Sequence, residues 1–311
     1  MIAHVAQSGE DRGRVLIQIR SRHPSAIALE AAVHIARAFG SDLESLFVED
    51  AQLFDCAAYG FVREVSLSGR QTRPLSLDTM MRDLHLAAQG TRRQLEALAR
   101  KAEVPLRCRV VRDEPLRALT IACAELGPWN VVTLGEPFAG GNSLLFKQML
   151  SEVSGTTGIV TVGPRALRVS GPVIVAVEDM AELSDMLRTA ERVAAVDGAE
   201  VVLLLVGPGE GDLERMEGET RLVVEDRERV RIELAAVAHG ADAHMAETLR
   251  KLGGGMVICR FGGLVVPDEG DLRPLAAALE CPLFLVRPDG PGAPPPPSSS
   301  PGRPEVSKSD F

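Results

Sequence analysis

The 311-residue sequence lacks the features that identify several common classes of protein. No segment supplies the roughly 20 uninterrupted apolar residues of a membrane-spanning helix. Residues 1–10 contain no basic region followed by an apolar core, as a secretion signal would. The formal net charge of −9 argues against non-specific binding to nucleic acid or anionic lipid. We therefore expect a cytoplasmic protein that binds no nucleic acid and does not insert into a membrane.

Motifs for disulfides, zinc binding and covalent catalysis are also missing. The five cysteines form no Cys-x-x-Cys pair, which favours reduced thiols. Cys108, Cys259 and Cys281 lie in or beside apolar runs, where we expect small buried side chains. No Gly-x-Ser-x-Gly elbow surrounds any serine. The sequence thus predicts no catalytic residue, and it favours a binding role over an enzymatic one.

The histidines are weak candidates for a functional site. His239 and His244 flank Asp242 in a possible metal-ligand cluster, but no fourth ligand lies nearby, and Asp242 also suits a helix N-cap. We therefore predict no metal site. His34 and His85 are expected on the solvent-facing sides of their helices.

What the sequence does contain is a strand-helix-strand unit over residues 14–50. The run 15–19 is apolar and β-branched, as expected of a buried strand. Over 25–39, apolar residues recur at spacings of three and four, which predicts a helix that ends at Gly40. Residues 43–48 are the next predicted strand. Because the connections are short, the unit predicts a helix lying against a parallel sheet.

The same alternation continues to residue 162. A mixed segment over 51–79 interrupts it and is interpreted as an insertion. Further helices are predicted over 76–101, from Glu114 onward and over 144–153, with strands at 106–111, 130–134 and 159–162. This order predicts a doubly wound parallel sheet with helices on both faces.

The second half of the chain repeats the pattern of the first. A shift of 158 positions superposes Leu29 on Leu187 and Gly40 on Gly198, and later elements match at a shift of 126. Matches that keep one order over whole elements predict a duplicated domain. The predicted division is a disordered N-terminus at 1–12, a first domain at 13–165, a linker at 166–171, a second domain at 172–288 and a disordered Pro- and Ser-rich tail at 289–311.

Three segments give the repeated unit a recognisable form. They are Ala-Leu-Glu-Ala-Ala at 28–32, Ile-Ala-Arg-Ala-Phe-Gly at 35–40, and the stretch from Asp-Glu-Pro at 113–115 to Leu-Gly at 134–135. In these segments the chain resembles the universal stress protein family and is similar to a tandem, two-domain member. The resemblance implies two Rossmann-like domains of the adenine nucleotide alpha hydrolase type and a role in the stress response.

In the ATP-binding branch of that family, an acidic residue after the first strand contacts the adenosine. A loop of pattern G-x2-G-x9-G-(S/T) after the fourth strand receives the phosphates on backbone amides. In the first half of this chain, the acidic position holds Arg20, and Gly135 matches the first loop glycine. A displaced glycine loop follows, which either binds an anion or only caps the next helix; it consists of Gly140, Gly141, Asn142 and Ser143.

The second half departs from the family pattern differently. Glu178 and Asp179 follow its first strand and keep the acidity, but the loop at 261–267 is too short and apolar to receive phosphates. One alternative is a composite ATP or AMP site that combines the acidic pair of one half with the glycine loop of the other.

We interpret the chain as a non-enzymatic regulatory or interaction protein whose halves pack as a pseudo-dimer. The alternative is an ATP- or AMP-binding switch, or a slow ATPase, that uses the loop at 135–143. The insertion is either a surface for a protein partner or for homodimerisation, or a flap over its own domain. Its apolar residues are Tyr59, Phe61, Val62, Val65 and Leu67. The tail is either inert or a Pro-rich ligand for a partner.

Overall fold

The strands of the chain follow the predicted alternation closely. A computed structural model describes residues 13–20, 24–66, 68–125, 129–135, 148–149, 153, 155–236, 242–267 and 272–287. In the first half the strands are β1 (Arg14–Ile19), β2 (Asp42–Asp50), β3 (Arg63–Val65), β4 (Thr72–Pro74), β5 (Leu106–Asp113), β6 (Asn130–Leu134) and β7 (Thr156–Thr161). In the second half they are β8 (Val173–Val177), β9 (Val201–Gly207), β10 (Val230–Ala236), β11 (Met256–Arg260) and β12 (Leu283–Val286).

Helices connect these strands. In the first half they are α1 (Ala26–Phe39), α2 (Ala51–Ala57), α3 (Leu77–Lys101) and α4 (Pro115–Glu125). In the second half they are α5 (Leu183–Ala195), which a 3-10 turn at Met180–Glu182 precedes, α6 (Glu210–Val224), α7 (Asp242–Lys251) and α8 (Arg273–Ala278). The predicted helix at 144–153 lies largely outside the described residues. No helix in the described part of the chain is long and apolar enough to cross a membrane.

All strands except β3 and β4 form one sheet of ten strands, in the order β10-β9-β8-β11-β12-β7-β6-β1-β2-β5. The five strands of each half are parallel neighbours. The two halves have the same strand order. When the sheet strands of each half are numbered along the chain, their order from the outer edge to the junction is third, second, first, fourth and fifth. This is the doubly wound α/β arrangement that the sequence predicts. The duplication of one domain stays a prediction.

The two halves meet at an antiparallel strand pair. Strand β12 runs against β7, with Leu283 opposite Thr161 and Val286 opposite Gly158. The sequence predicts one parallel sheet in each half, whereas the structure joins them into one mixed sheet. The pairing gives hydrogen-bond partners to two strand edges that would otherwise be open. Because the pairing is antiparallel, the carboxyl ends of the strands of one half lie at the opposite end of the sheet from those of the other.

The helices cover both faces of this sheet. Helices α1, α3, α5 and α6 pack on one face, and α4, α7 and α8 pack on the other. Alternate residues of β1 supply the two cores: Ile17 faces the first group of helices and Leu16 the second, and both are fully buried. Each apolar core therefore extends through both halves of the molecule.

Helices α1 and α5 bring the halves together on one face. The ring of Phe39 in α1 lies edge-on to that of Phe284 in β12, with centroids 6.5 Å apart. The Nε2 atom of His34 lies 3.1 Å from the carbonyl oxygen of Val193 in α5. The prediction that His34 faces solvent is therefore wrong, because the packing of the other half covers this side of α1. His85 is solvent-facing, as predicted.

The cysteines are free thiols, and three of them are buried: Cys123, Cys259 and Cys281. Burial raises the pKa of the Cys123 thiol to about 11 and that of Cys281 to about 12. The prediction that Cys108 is buried is wrong, since this residue lies on β5, the outermost strand of the sheet, and is exposed. A strand at the edge of a sheet has one neighbouring strand instead of two, so the side chains of an apolar run there need not be buried.

Candidate functional site

The first candidate site is the crevice where β1 and β6 end side by side. From these adjacent parallel strands the chain leaves to opposite faces of the sheet: α1 joins one core, and Met149, after β6, joins the other. Such a switch point is where open α/β sheets bind ligands. Gly135 follows β6 directly at this point. The other glycine-loop residues predicted to bind phosphate, Gly140, Gly141, Asn142 and Ser143, lie outside the described residues.

Gly135 fixes the geometry of the first crevice through its backbone. Its N–H donates to the carbonyl oxygen of Gln18 over 2.7 Å, and its own carbonyl oxygen accepts from the N–H of Ser25 over 2.7 Å. A Cβ atom at this position would lie 2.8 Å from the same Gln18 oxygen, so a side chain does not fit. Gly135 therefore holds the start of α1 against the ends of β1 and β6. Its N–H is already used and is not available to a phosphate.

The equivalent crevice of the second half lies at the ends of β8 and β11, and the chain's own carboxylate occupies it. Glu178, the residue after β8, accepts hydrogen bonds from the backbone N–H groups of Leu264 and Val265, the second over 3.0 Å. Both donors belong to the loop that follows the fourth sheet strand of this half. Gly263 lies so close to the carboxylate that a Cβ atom there would overlap it. Glu178 thus sits where backbone amides would otherwise meet an anion.

This second-half loop is closed by further contacts. The N–H of Gly262 donates to the carbonyl oxygen of Val266 over 2.8 Å, and the side chain of Val266 is fully buried. Arg260, at the end of β11, forms an ion pair with Glu182 at 2.8 Å. Sequence reasoning missed this ion pair, because 78 positions separate its partners and no motif relates them. The loop after β11 is thus held by Glu178 and by its own backbone.

Asp179 has a local role. Its side chain accepts from the N–H of Ala181 over 2.9 Å and caps the 3-10 turn at Met180–Glu182. An Asp at an N-cap position satisfies a backbone donor that would otherwise have no partner. Both acidic residues predicted to contact adenosine therefore accept hydrogen bonds from the backbone of their own chain.

The structure does not bring the predicted site residues of the two halves together. Gly135 follows the carboxyl end of β6, and Glu178 follows the carboxyl end of β8. Strands β11, β12 and β7 lie between β6 and β8. The four spacings of ~4.8 Å therefore put β6 and β8 about 19 Å apart. The antiparallel junction also places the two ends at opposite ends of the sheet. A composite site using Gly135 and Glu178 does not exist in this fold.

A second candidate is the insertion, which forms an exposed surface. None of the described residues between 51 and 79 is buried. Tyr59 is 58% exposed and Phe61 is 79% exposed, and their rings pack against one another with centroids 5.6 Å apart. Val65, on the neighbouring hairpin strand, is 61% exposed. Val62 is half-buried, and Leu67 lies outside the described residues. These positions argue against a flap that buries its own domain's core.

The base of the insertion is attached to the sheet by specific contacts. Asp50 ends β2, and its side chain accepts from the N–H of Gln52 over 3.0 Å, which caps α2. The guanidinium of Arg112 on β5 lies 3.7 Å from the centroid of the Phe54 ring, a stabilising cation–π geometry. These contacts hold α2, so the exposed aromatic residues project from an ordered support.

Among the described residues, no group of three or more His, Cys, Asp or Glu side chains could hold a metal ion. Of the possible cluster proposed from sequence, His239 lies outside the described residues, and nothing is described of the side chains of Asp242 and His244.

Comparison with solved structures shows what this architecture is similar to. A universal stress protein from Archaeoglobus fulgidus DSM 4304 superposes with a TM-score of 0.55 at 12% identity, covering 88% of this chain and 96% of that one. A putative universal stress protein from Pseudomonas aeruginosa UCBPP-PA14 gives 0.53 at 16% identity, covering 90% and 94%. The chain has the universal stress protein fold. The predicted resemblance is thereby confirmed at the level of architecture.

The same fold occurs in another setting. The cytoplasmic domain of a prokaryotic cation chloride cotransporter superposes with a TM-score of 0.53 at 9% identity, covering 88% of this chain and 95% of that one. No family model and no curated protein sequence matches the chain. At these identities the likeness establishes the universal stress protein fold and says nothing of ligands, so any function must be argued from this chain's own residues.

Proposed function

We propose that this protein is a regulatory or interaction module built on the universal stress protein fold, and that it does not act as an enzyme. One observation carries the proposal: Glu178 occupies the backbone amides of Leu264 and Val265 in the second crevice. In a nucleotide-binding half, loop amides at this place would face phosphate oxygens. Here an internal carboxylate already satisfies two of them, so an incoming anion would have to displace a negative charge.

The halves form a pseudo-dimer in this proposal. The antiparallel pairing of β7 with β12 and the contact between α1 and α5 support it. The linker is held against the second half: the N–H of Leu167 donates to the carbonyl oxygen of Glu280 over 2.7 Å, and Arg168 forms an ion pair with the Glu280 side chain at 3.2 Å. In such a pair the second half serves as a fixed structural partner of the first. This leaves the first half and its insertion to carry recognition.

The insertion is the proposed docking surface for a protein partner. Its exposed aromatic pair and Val65 provide apolar area that the fold does not need for its own core, and exposed patches of this kind often mark interaction sites. Tyrosine and phenylalanine are effective in interfaces because they bury a large area at a small cost in side-chain entropy. The measurement for this role is loss of partner binding in Phe61→Ala. A surface substitution such as Arg70→Ala is the matched control.

Nucleotide binding is tested by calorimetry with ATP and AMP on purified, nucleotide-stripped protein. We expect no heat of binding at millimolar nucleotide in the natural chain. The variant Gly140→Val/Gly141→Val should then behave identically. Glu178→Ala frees the two loop amides, so a gain of anion binding in that variant alone would support the view that Glu178 blocks the second crevice.

The alternative function is a nucleotide-binding switch in the first half. It is favoured by Gly135, which stands at the switch point between β1 and β6, where the family's phosphate loop begins. Tight ATP or AMP binding that Gly140→Val/Gly141→Val abolishes would establish this alternative and overturn the main proposal. Measurement of phosphate release would then separate a sensor from a slow ATPase.

A further inference from the structure

The Pro-rich tail has no place in the function argued so far. Residues 301–304 read Pro-Gly-Arg-Pro, a P-x-x-P motif, and follow a run of prolines at 294–297 and three serines. Proline fixes its own backbone near the polyproline II conformation, and this extended helix has no internal hydrogen bonds. Such segments are recognised by exposed aromatic side chains, because a preformed helix loses little entropy on binding.

The insertion presents aromatic side chains of the required kind. Tyr59 is the single tyrosine of the chain, and it packs against Phe61 with an angle of 32° between the rings. Of the other phenylalanines in the described part of the chain, Phe54 is half-buried and four are more than nine-tenths buried: Phe39, Phe47, Phe261 and Phe284. The exposed Tyr59–Phe61 pair therefore differs from these four buried rings. Two tilted rings form a platform on which a proline ring can lie.

We propose that residues 301–304 of the tail dock on the Tyr59–Phe61 pair of the same chain. The inference rests on the proposed docking role of the insertion and names an internal occupant for that surface. A tail attached to the protein has an effective concentration in the millimolar range, so a weak contact is enough to cover the pair. A protein partner then binds by displacing the tail, which makes the tail an autoinhibitory segment.

The position and length of the tail allow this contact. The last described residue, Arg287, follows β12 and lies four strand positions from β2, where the insertion begins. Four spacings of ~4.8 Å and a strand of nine residues at ~3.3 Å put the two ends about 35 Å apart, since they are at opposite ends of the sheet.

An extended tail gains ~3.1 Å per residue. The prolines at 294–297 therefore reach at most about 31 Å from Arg287, whereas 301–304 reach about 43–53 Å at the same ~3.1 Å per residue. The P-x-x-P motif at 301–304 can span the distance to the start of the insertion, whereas the prolines at 294–297 fall short of it. This difference between two Pro-containing segments of one tail supplies a matched control.

Tyr59 makes the test specific, because fluorotyrosine incorporated into the full chain gives a single fluorine resonance. We expect the resonance to shift when the tail is removed after Arg287, and to shift equally in Pro301→Ala/Pro304→Ala. The control Pro294→Ala/Pro297→Ala should leave it unchanged. A synthetic peptide of residues 298–306, added to the tail-less chain, should return the resonance saturably to its full-length position. In Phe61→Ala, tail removal should have no effect.

An identical resonance in the full-length and tail-less chains overturns the inference, as does a shift that depends on protein concentration, which would mean a tail from a second copy. An equal response to both proline pairs overturns the assignment to 301–304. These outcomes differ from failure of the proposed function. If the tail does not bind but Phe61→Ala still weakens a partner, the docking role survives; if nucleotide binds at 135–143, the proposed function fails whatever the tail does.

Discussion

Replacing Glu44 with glutamine removes the negative charge from a buried ion pair that joins β1 to β2. Glu44 binds the guanidinium of Arg14, and the two side chains are only 8% and 5% exposed. Arg109 on β5 approaches the same carboxylate at 3.3 Å. Arg14 also donates to the carbonyl oxygen of Ala122 and, over 3.2 Å, to Oδ1 of Asn130. The charge of Glu44 thus compensates a cation that ties three strands and α4 together.

The expected cost follows from this geometry. Breaking a buried ion pair by removing one partner costs about 3–5 kcal/mol, because the other charge stays buried without compensation. Glutamine keeps an oxygen acceptor, and Arg14 keeps its bonds to Ala122 and Asn130, so we expect the lower end, about 3 kcal/mol. Glu49→Gln is the matched control on the same strand. Its partner Arg112, at 3.0 Å, is 47% exposed, and Glu49 itself is 16% exposed; a pair whose cation is open to solvent contributes about 1 kcal/mol.

The assay is urea unfolding followed by the fluorescence of Trp129, the single tryptophan, which is 6% exposed and precedes Asn130. The midpoint of Glu44→Gln should fall well below that of Glu49→Gln at unchanged slope. Removing both charges in Arg14→Leu/Glu44→Leu should cost less than the sum of the two single changes, because neither charge is then left unpaired. Equal midpoints for Glu44→Gln and Glu49→Gln would refute the reasoning.

Further predictions concern pH, the junction and the thiols. Burial lowers the pKa of His34 below 6.5, although the carboxylate of Asp197 acts in the opposite direction. Near this pH the unfolded chain therefore binds more protons than the folded chain, so the stability of the protein should decline as pH falls below about 6.5. Thermal unfolding should show a smaller decline in His34→Gln. In Gly158→Val the new side chain would meet a ring atom within 2.5 Å and a backbone oxygen within 3.0 Å at the β7–β12 pair, which should lower the unfolding midpoint strongly, whereas Gly209→Ala meets nothing within 4 Å. Cys56 and Cys108 should react with a thiol reagent in the native state, and the buried thiols only on unfolding. Partial desolvation on β5 raises the pKa of the exposed Cys108 thiol, so its rate should increase steeply with pH.

The elements of the fold were predictable because their patterns are local. The strand at 130–134 and the long helix at 76–101 were predicted within a residue of β6 and α3. Apolar runs bounded by turns and apolar residues at helical spacing each arise from how a single element meets the core. The order of elements then limits the topology to a doubly wound sheet, since parallel crossovers have one hand.

Features that depend on contacts between distant elements were not predictable in this way. Nothing in the residues 156–161 or 283–286 says that these strands pair with each other. The burial of His34 depends on that pairing, because α5 of the other half covers it. The exposure of Cys108 depends on which strand becomes outermost. These three features were misjudged or missed for one reason: the sequence of a helix or strand does not specify which element packs beside it.

The candidate site shows the same limit in chemical terms. Acidic residues after the first strand of the second half suggested a contact to adenosine, and the residue types were right for that chemistry. The carboxylate of Glu178 instead binds amides 86 and 87 positions further along the chain. A carboxylate that can accept from a ligand can equally accept from the protein's own backbone, and only the fold decides between them.

The antiparallel junction has a consequence for any regulation of this protein. It places the two crevices at opposite ends of one sheet, so no single small ligand can contact both. A signal received in the first half can reach the second only through packed elements, and the described contacts between the halves include β7 with β12, α1 with α5, and Phe39 of α1 with Phe284 of β12. If Glu178 blocks the second crevice, as proposed, only the first half exchanges a ligand. The proposed response to a partner or nucleotide then arises in the first half, where the insertion and the Gly135 crevice lie at the same end of the sheet.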